Sequence, residues 1–366
     1  MHSSARSPWS QTIAPPYASS KGLAPESRRY YAHGLSWRRT PPAPGLPWAW
    51  RALVAAFTLV VAGACSPQSS RTVTQLPIVD WAPHAPLRGM DLSPKTPLAP
   101  SDYAALDLVQ PGSVVLFSAQ LGDTDPLREI GPDPHLQAWL AAHQDVTQIV
   151  RMWPVRGPDD PNRLALRIVR LHQRFPWITW FVIANEPDIE WAASSRGSWQ
   201  QIDDWAEQVW WDVERYRRSV PSASDIKLLF PPLAQSSPMD PEHVGYDALR
   251  PAIELYLDHG DGIAGHEYWD RDDVYLVEED WPAWLQARLV SVPFFVTEAG
   301  RRPLASNGDP DAALGSELVR FSARTRASVV APFVLSSPGG QFDQFDFVDL
   351  NGEMRPQLLV WAEHGP

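Results

Sequence analysis

Two apolar runs in this chain stop at a glutamate. Ile178-Thr179-Trp180-Phe181-Val182-Ile183-Ala184 leads into Asn185-Glu186-Pro187, and Phe294-Phe295-Val296-Thr297 leads into Glu298-Ala299-Gly300, 112 residues later. A carboxyl group leaving an apolar strand end is partly desolvated, which raises its pKa and suits it to donating a proton at neutral pH. A second carboxylate kept ionised is a nucleophile. Held about 5–5.5 Å apart, two such groups open an acetal by double displacement. The chemistry therefore depends on whether the chain brings the two strand ends together.

The rest of the sequence reads as a frame that does so. From Leu87 onward short apolar runs alternate with longer amphipathic ones, the mark of βα units on a parallel sheet. The strand candidates are Leu87–Leu92, Ser113–Ser118, Gln148–Trp153, Ile178–Ala184, Lys227–Phe230, Ile263–Tyr268, Phe294–Glu298 and Val329–Leu335. They are apolar on both faces, as strands buried on both sides must be. Helices are predicted at Ser101–Val109, Pro134–His143, Pro161–Arg174, Gln201–Arg217, Pro241–Leu257, Trp281–Leu289, Asp311–Arg326 and Pro356–Glu363. In the third, Leu164, Ile168 and Leu171 share a face; in the fourth, Ile202, Trp205, Val209, Val213 and Tyr216 do. Strict alternation of eight strands and eight helices over residues 86–366 predicts an α/β (β/α)8 TIM barrel, whose catalytic groups sit at the C-terminal strand ends. The competing open doubly wound sheet usually carries a Gly-rich phosphate loop after its first strand. Here that position reads Ser93-Pro94-Lys95-Thr96-Pro97.

The Asn-Glu pair closing the fourth strand and the Glu closing the seventh resemble clan A of the glycoside hydrolases, the retaining (β/α)8-barrel glycosidases that include cellulases, mannanases, xylosidases and galactosidases. The resemblance implies that Glu186 is the acid/base, that Glu298 is the nucleophile, and that Asn185 contacts the sugar 2-hydroxyl. His266-Glu267-Tyr268 on the sixth strand is similar to the His-x-Tyr of cellulase-like members. That implies a sugar-lining His266 and a Tyr268 bonded to the nucleophile. Two features depart from the family pattern. The second strand ends Leu116-Phe117-Ser118 without the family's Arg, and the eighth ends Phe333-Val334-Leu335 without its Trp. Arg151, closing the third strand, is read either as the replacement cation that keeps the nucleophile ionised or as a structural Arg paired with a neighbouring carboxylate. Trp153, Trp191 and Trp269 follow strand ends and are read as sugar-stacking platforms or as rim packing. Asp91, ending the first strand, is read as a site candidate or as a residue organising the barrel rim, Glu267 as outward-facing, and Asp188 and Glu190 as loop or helix-start residues.

Composition bounds what remains. The chain has 366 residues, a net charge of −12 and 18 Trp. Residues 1–65 hold seven Lys/Arg and one Glu, so the remainder carries 24 Lys/Arg against 42 Asp/Glu. That acidic body argues against nucleic-acid and anionic-lipid surfaces. Nothing has metal-ligand spacing, nucleotide-loop character or a Gly-x-Ser-x-Gly elbow, so no cofactor is expected. Arg51 and the apolar run Ala52–Ala64 form a signal peptide (51–64), too short to span a bilayer. It ends Ala62-Gly63-Ala64-Cys65, which resembles a bacterial lipoprotein signal. The resemblance implies lipidation at Cys65, with 65–85 as a tether and a lipid anchor as the membrane contact; otherwise the protein is secreted. Residues 1–50 read as a disordered extension or as the product of a mis-assigned start. The sequence thus predicts an exported, monomeric retaining glycoside hydrolase acting on an oligo- or polysaccharide. The rival readings are a non-catalytic polysaccharide-binding or envelope-assembly lipoprotein and a transglycosylase with the same residues.

Overall fold

Residues that are apolar on both faces need cover on both faces, and eight such strands supply it to one another by closing. The computed structural model describes residues 85–92, 97–123, 130–152, 158–191, 199–234, 244–269, 274, 276–301, 312–337 and 345–366. The predicted extension, signal peptide, Cys65 and nearly all of the tether lie outside the described residues. The strands are β1 (Leu87–Asp91), β2 (Ser113–Phe117), β3 (Thr147–Arg151), β4 (Trp180–Val182), β5 (Lys227–Phe230), β6 (Gly262–Trp269), β7 (Phe294–Arg301) and β8 (Val329–Pro332). They form a closed parallel barrel in chain order, with β8 pairing back onto β1. Between and after them run α1 (Pro100–Val109), α2 (Pro134–Ala142), α3 (Pro161–Arg174), α4 (Pro187–Glu190), α5 (Trp199–Ser219), α6 (Val244–Ala248), α7 (Arg250–Asp258), α8 (Ala283–Arg288), α9 (Ala312–Ser322) and α10 (Pro356–His364). The predicted (β/α)8 barrel is the fold.

Side chains alternate across each strand, so the barrel has two apolar layers. Val115, Ile149, Val182, Leu229, Ala264, Phe295, Val329 and Ala331 fill the inside, with Trp180 packed against them. The opposite strand faces join the helices in a larger core. Helix starts follow local chemistry. Asp133 accepts from the His135 and Leu136 amides at the head of α2, and Asp160 accepts from the Arg163 amide at the head of α3. The frame is also tied by buried charge. Asp261 accepts from Trp210 Nε1, from both Arg217 terminal nitrogens and from the Leu228 amide, joining α5, β5 and the start of β6.

The elements differ from expectation where backbone chemistry intervenes. The predicted helix 241–257 is two pieces, because Pro251 has no N–H to continue the ladder from α6 and instead opens α7. β6 and β7 run on past the predicted ends and pair through Trp269 and Arg301. β4 is shorter than predicted, and β8 stops at Pro332.

Candidate active site

Glu186 lies four residues beyond the end of β4, where the chain must turn from barrel to helix. Pro187 opens α4, and the Ile189 and Glu190 amides donate to the Glu186 carbonyl at 3.0 and 2.9 Å. The turn twists Glu186 to φ 21°, ψ 59°, the left-handed side that an L-residue adopts at a cost of about 1–3 kcal/mol. It projects a carboxyl group from the barrel mouth while its neighbours remain buried.

Glu298 stands within β7, and its two oxygens are held from two sides. Arg151, closing β3, donates from NH1 to Oε1 at 2.6 Å. Tyr268 on β6 donates to Oε2 at 2.6 Å. The other terminal nitrogen of Arg151 donates to Asp91 at 3.2 Å, so one buried guanidinium serves two buried carboxyls. Burial pushes the Glu298 carboxyl up. The charges of His266 and Arg151, and hydrogen bonds from Tyr268 and Arg151, more than offset that and hold it below the usual range. The opposite balance holds at Asp91. There burial outweighs Arg151, and the Glu298 charge adds to it, so the carboxyl sits well above its usual range. Arg151 therefore meets both sequence readings at once, as the cation on the candidate nucleophile and as a partner of a structural carboxylate.

His266 joins the two glutamates. Its Nδ1 lies 2.8 Å from Glu186 Oε1 and 3.5 Å from Glu298 Oε2. One donor atom from each of the three side chains falls within 4.8 Å of the others. Among the described residues this is the one grouping that resembles a metal-ligand set. Its surroundings do not fit a cation: a guanidinium sits 2.6 Å from one ligand oxygen, and Tyr268 already donates to the other.

The amide beside Glu186 is also anchored. Asn185 Nδ2 donates to Glu190 Oε1 at 2.6 Å. Burial lifts the Glu190 carboxyl to about 8; the Asn185 bond opposes this, and the Glu186 charge adds to it. Asp188, on the same short helix, accepts from the Ala234 amide at 3.0 Å and stands at about 7, chiefly through burial. The sequence assigned Glu190 to a loop or helix start. Pro187 at the first helical position was the available signal, since a helical turn folds its fourth residue back over the preceding amide.

No protein-family model and no curated sequence matches the chain. Solved structures do. A family 39 glycoside hydrolase from the gut symbiont Bacteroides cellulosilyticus WH2 matches with TM-score 0.50 and 13% identity, over 75% of this chain and 62% of that one. A psychrophilic family 10 endo-β-1,4-xylanase matches with TM-score 0.50 and 10% identity, over 76% of this chain and 96% of that one. Bacteroides uniformis β-glucuronidase 2, covalently bound to cyclophellitol-6-carboxylate aziridine, matches with TM-score 0.50 and 10% identity, over 76% of this chain and 35% of that one. This is a barrel shared with glycoside hydrolases. At these identities the likeness is one of fold, and the chain spans less than two thirds of the first of these structures and about a third of the last.

Asn185, Glu186, His266, Tyr268, Glu298 and Arg151 thus converge, and Asp91 and Glu190 join them. Trp269 does not, which corrects its reading as a sugar platform. It is fully buried, stacks on Phe321 with ring centroids 5.2 Å apart, and donates Nε1 to Glu317 at 3.0 Å. Strand alternation is the reason: His266 and Tyr268 face inward, so Glu267 and Trp269 face the helix layer. Glu267 is buried there rather than exposed. Trp191 is likewise packing, edge-on to Trp205 at 4.8 Å. Trp153 lies outside the described residues. Near Glu298, Tyr268 packs against the buried Phe333 and Phe345, a cluster beside the end of β8.

Proposed function

We propose that this barrel hydrolyses a β-glycosidic bond with retention of configuration. The observation that carries the reading is the Glu186–Glu298 pair, whose oxygens approach within 4.8 Å across His266. That approach suits direct attack by one carboxylate, whereas an inverting pair stands about 6.5–9.5 Å apart to admit a water. Glu298, held ionised by Arg151 and Tyr268, attacks the anomeric carbon, and the bond to the leaving oxygen breaks as Glu186 gives that oxygen its proton. Glu186, now a carboxylate, takes a proton from water; the water oxygen bonds to the anomeric carbon and Glu298 departs with its electron pair. His266, in contact with both carboxyls, keeps them in one constellation through the exchange.

The acid/base and nucleophile are tested with a panel of 2-deoxy-2-fluoro β-glycosides carrying a 2,4-dinitrophenyl leaving group. The panel includes the xyloside and the glucuronide, because the similar structures include a xylanase and a β-glucuronidase. Mass spectrometry of the trapped protein is expected to place the sugar on Glu298. Trapping on another residue, or full activity in Glu298→Ala, overturns the assignment. In Glu186→Ala, azide is expected to restore turnover and give the β-glycosyl azide.

We further propose that the protein is exported and lipid-anchored at Cys65, leaving the barrel at the cell envelope. Radiolabelled palmitate incorporated into the full chain but not into Cys65→Ala tests this. Absence of label from the full chain overturns it.

A further inference from the structure

Glu190 is a half-buried residue with a buried carboxyl oxygen, Oε2, that double displacement does not use, yet it stands one hydrogen bond from the residue beside the acid/base. Asn185 Nδ2 donates to Glu190 Oε1 at 2.6 Å. The other end of that amide, Oδ1, is buried without a hydrogen-bond partner, and so is Glu190 Oε2. An amide has one donor end and one acceptor end. A carboxylate only accepts, whereas a protonated carboxyl also donates. When Glu190 is ionised it takes Nδ2 and leaves Oδ1 unspent. When it is protonated, its O–H satisfies Oδ1 after the amide turns over, and Nδ2 is left unspent instead. We propose that Glu190 is a positioning residue that, through Asn185, sets whether the pocket beside Glu186 offers a hydrogen-bond acceptor or a donor to the sugar hydroxyl.

This rests on the glycosidase reading of the site. The charged groups that act on Glu190 are Glu186, Arg151 and Glu298, and Asp188 shares its short helix. Burial holds the Glu190 proton until about pH 8, so both states fall within a working range. An unpartnered buried amide oxygen is costly, and a substrate hydroxyl relieves that cost in either orientation because it both donates and accepts.

Two measurements separate this role from a structural staple. The first needs no substrate. The Asn185 side-chain amide resonances, assigned by their loss in Asn185→Ala, are expected to shift with a midpoint near pH 8 and to stop shifting in Glu190→Gln. The second uses the 2,4-dinitrophenyl β-glycoside turned over fastest, beside its 2-deoxy counterpart. Glu190→Ala is expected to lower kcat/KM about 10–100-fold on the parent and under about threefold on the 2-deoxy sugar. Glu190→Gln, which bonds either end of the amide, is expected to restore the parent rate to within about threefold and to remove the pH dependence near 8. Equal losses on both sugars, or an amide that ignores pH, overturn the proposal. An amide that titrates in a protein that turns over no glycoside preserves the Glu190–Asn185 coupling and overturns the glycosidase reading instead.

Discussion

Tyr268 gives its phenolic hydrogen to Glu298 Oε2 at 2.6 Å, a bond from a half-buried ring on β6 to a buried carboxyl on the adjacent strand β7. A hydrogen bond to a carboxylate favours its charged form. Tyr268→Phe therefore raises the Glu298 pKa and loosens the orientation of this proposed nucleophile. The expected outcome is a fall in kcat/KM of about 10–100-fold, as for loss of a hydrogen bond to a charged group. The acid limb of the kcat/KM profile, which reports the free enzyme, is expected to move to higher pH. A profile that drops in height without moving would separate Tyr268 from the ionisation of Glu298.

Arg151 and Asp91 predict unequal penalties. Arg151→Met removes the cation from two buried carboxyls at once. Breaking a buried ion pair by deleting one partner costs about 3–5 kcal/mol, so a large fall in melting temperature is expected together with loss of turnover. Asp91→Asn keeps an oxygen to accept from Arg151 and leaves the Arg151–Glu298 ion pair in place. Stability within about 1 kcal/mol of the parent and a rate within tenfold are expected for it. Thermal melts and kinetics on the two variants decide the matter, and comparable damage from both would contradict the division of roles around Arg151.

The candidate site was legible because its two glutamates directly follow apolar runs in the sequence. A carboxylate ending an apolar run has no role inside a barrel, so Glu186 and Glu298 stood out before any geometry was known, and the order of the eight strands brought them together. What the sequence hid was direction and return. Trp269 follows His266 and Tyr268 in chain order, but alternation turns it outward, a consequence already contained in the reading of Glu267. Glu190 was hidden because its importance comes from a turn of four residues, α4, that folds it back onto Asn185. The strand boundaries were less legible still. β6 and β7 extend together through Trp269 and Arg301 because each supplies the other's ladder, a mutual effect that neither segment shows alone.

Trp269 tests that correction directly. Its indole donates to Glu317, which also accepts from Arg301 at 2.6 and 3.0 Å, so the ring joins β6 to an ion pair between β7 and α9. Trp269→Phe keeps the stacking on Phe321 and deletes the donor. A stability loss of about 1–3 kcal/mol is expected in chemical denaturation, with KM unchanged. A sugar platform would behave in the opposite way, with KM rising while the denaturation midpoint stayed put.

Stability is expected to fall as pH rises from about 5 to 8, against the usual behaviour of an acidic protein. Glu190 and Asp188 stand at about 8 and about 7 in the folded chain, both raised from the ordinary carboxylate range chiefly by burial. The unfolded chain loses these protons near pH 4, so between there and pH 7–8 the folded state binds more protons than the unfolded one. Linkage then gives a negative slope, up to about 1.4 kcal/mol per pH unit for each group while the difference is complete. Glu298 has the opposite sign: its folded pKa is depressed, so its contribution is present above the unfolded value and is lost only as pH falls below it. Melting temperatures from pH 4.5 to 8.5 are therefore expected to decline toward the alkaline end. The doubly substituted Asp188→Asn, Glu190→Gln protein is expected to show a much flatter profile. A wild-type melting temperature that climbs through this window would mean that the two carboxyls are ionised at neutral pH and that their burial is relieved by contacts other than those described.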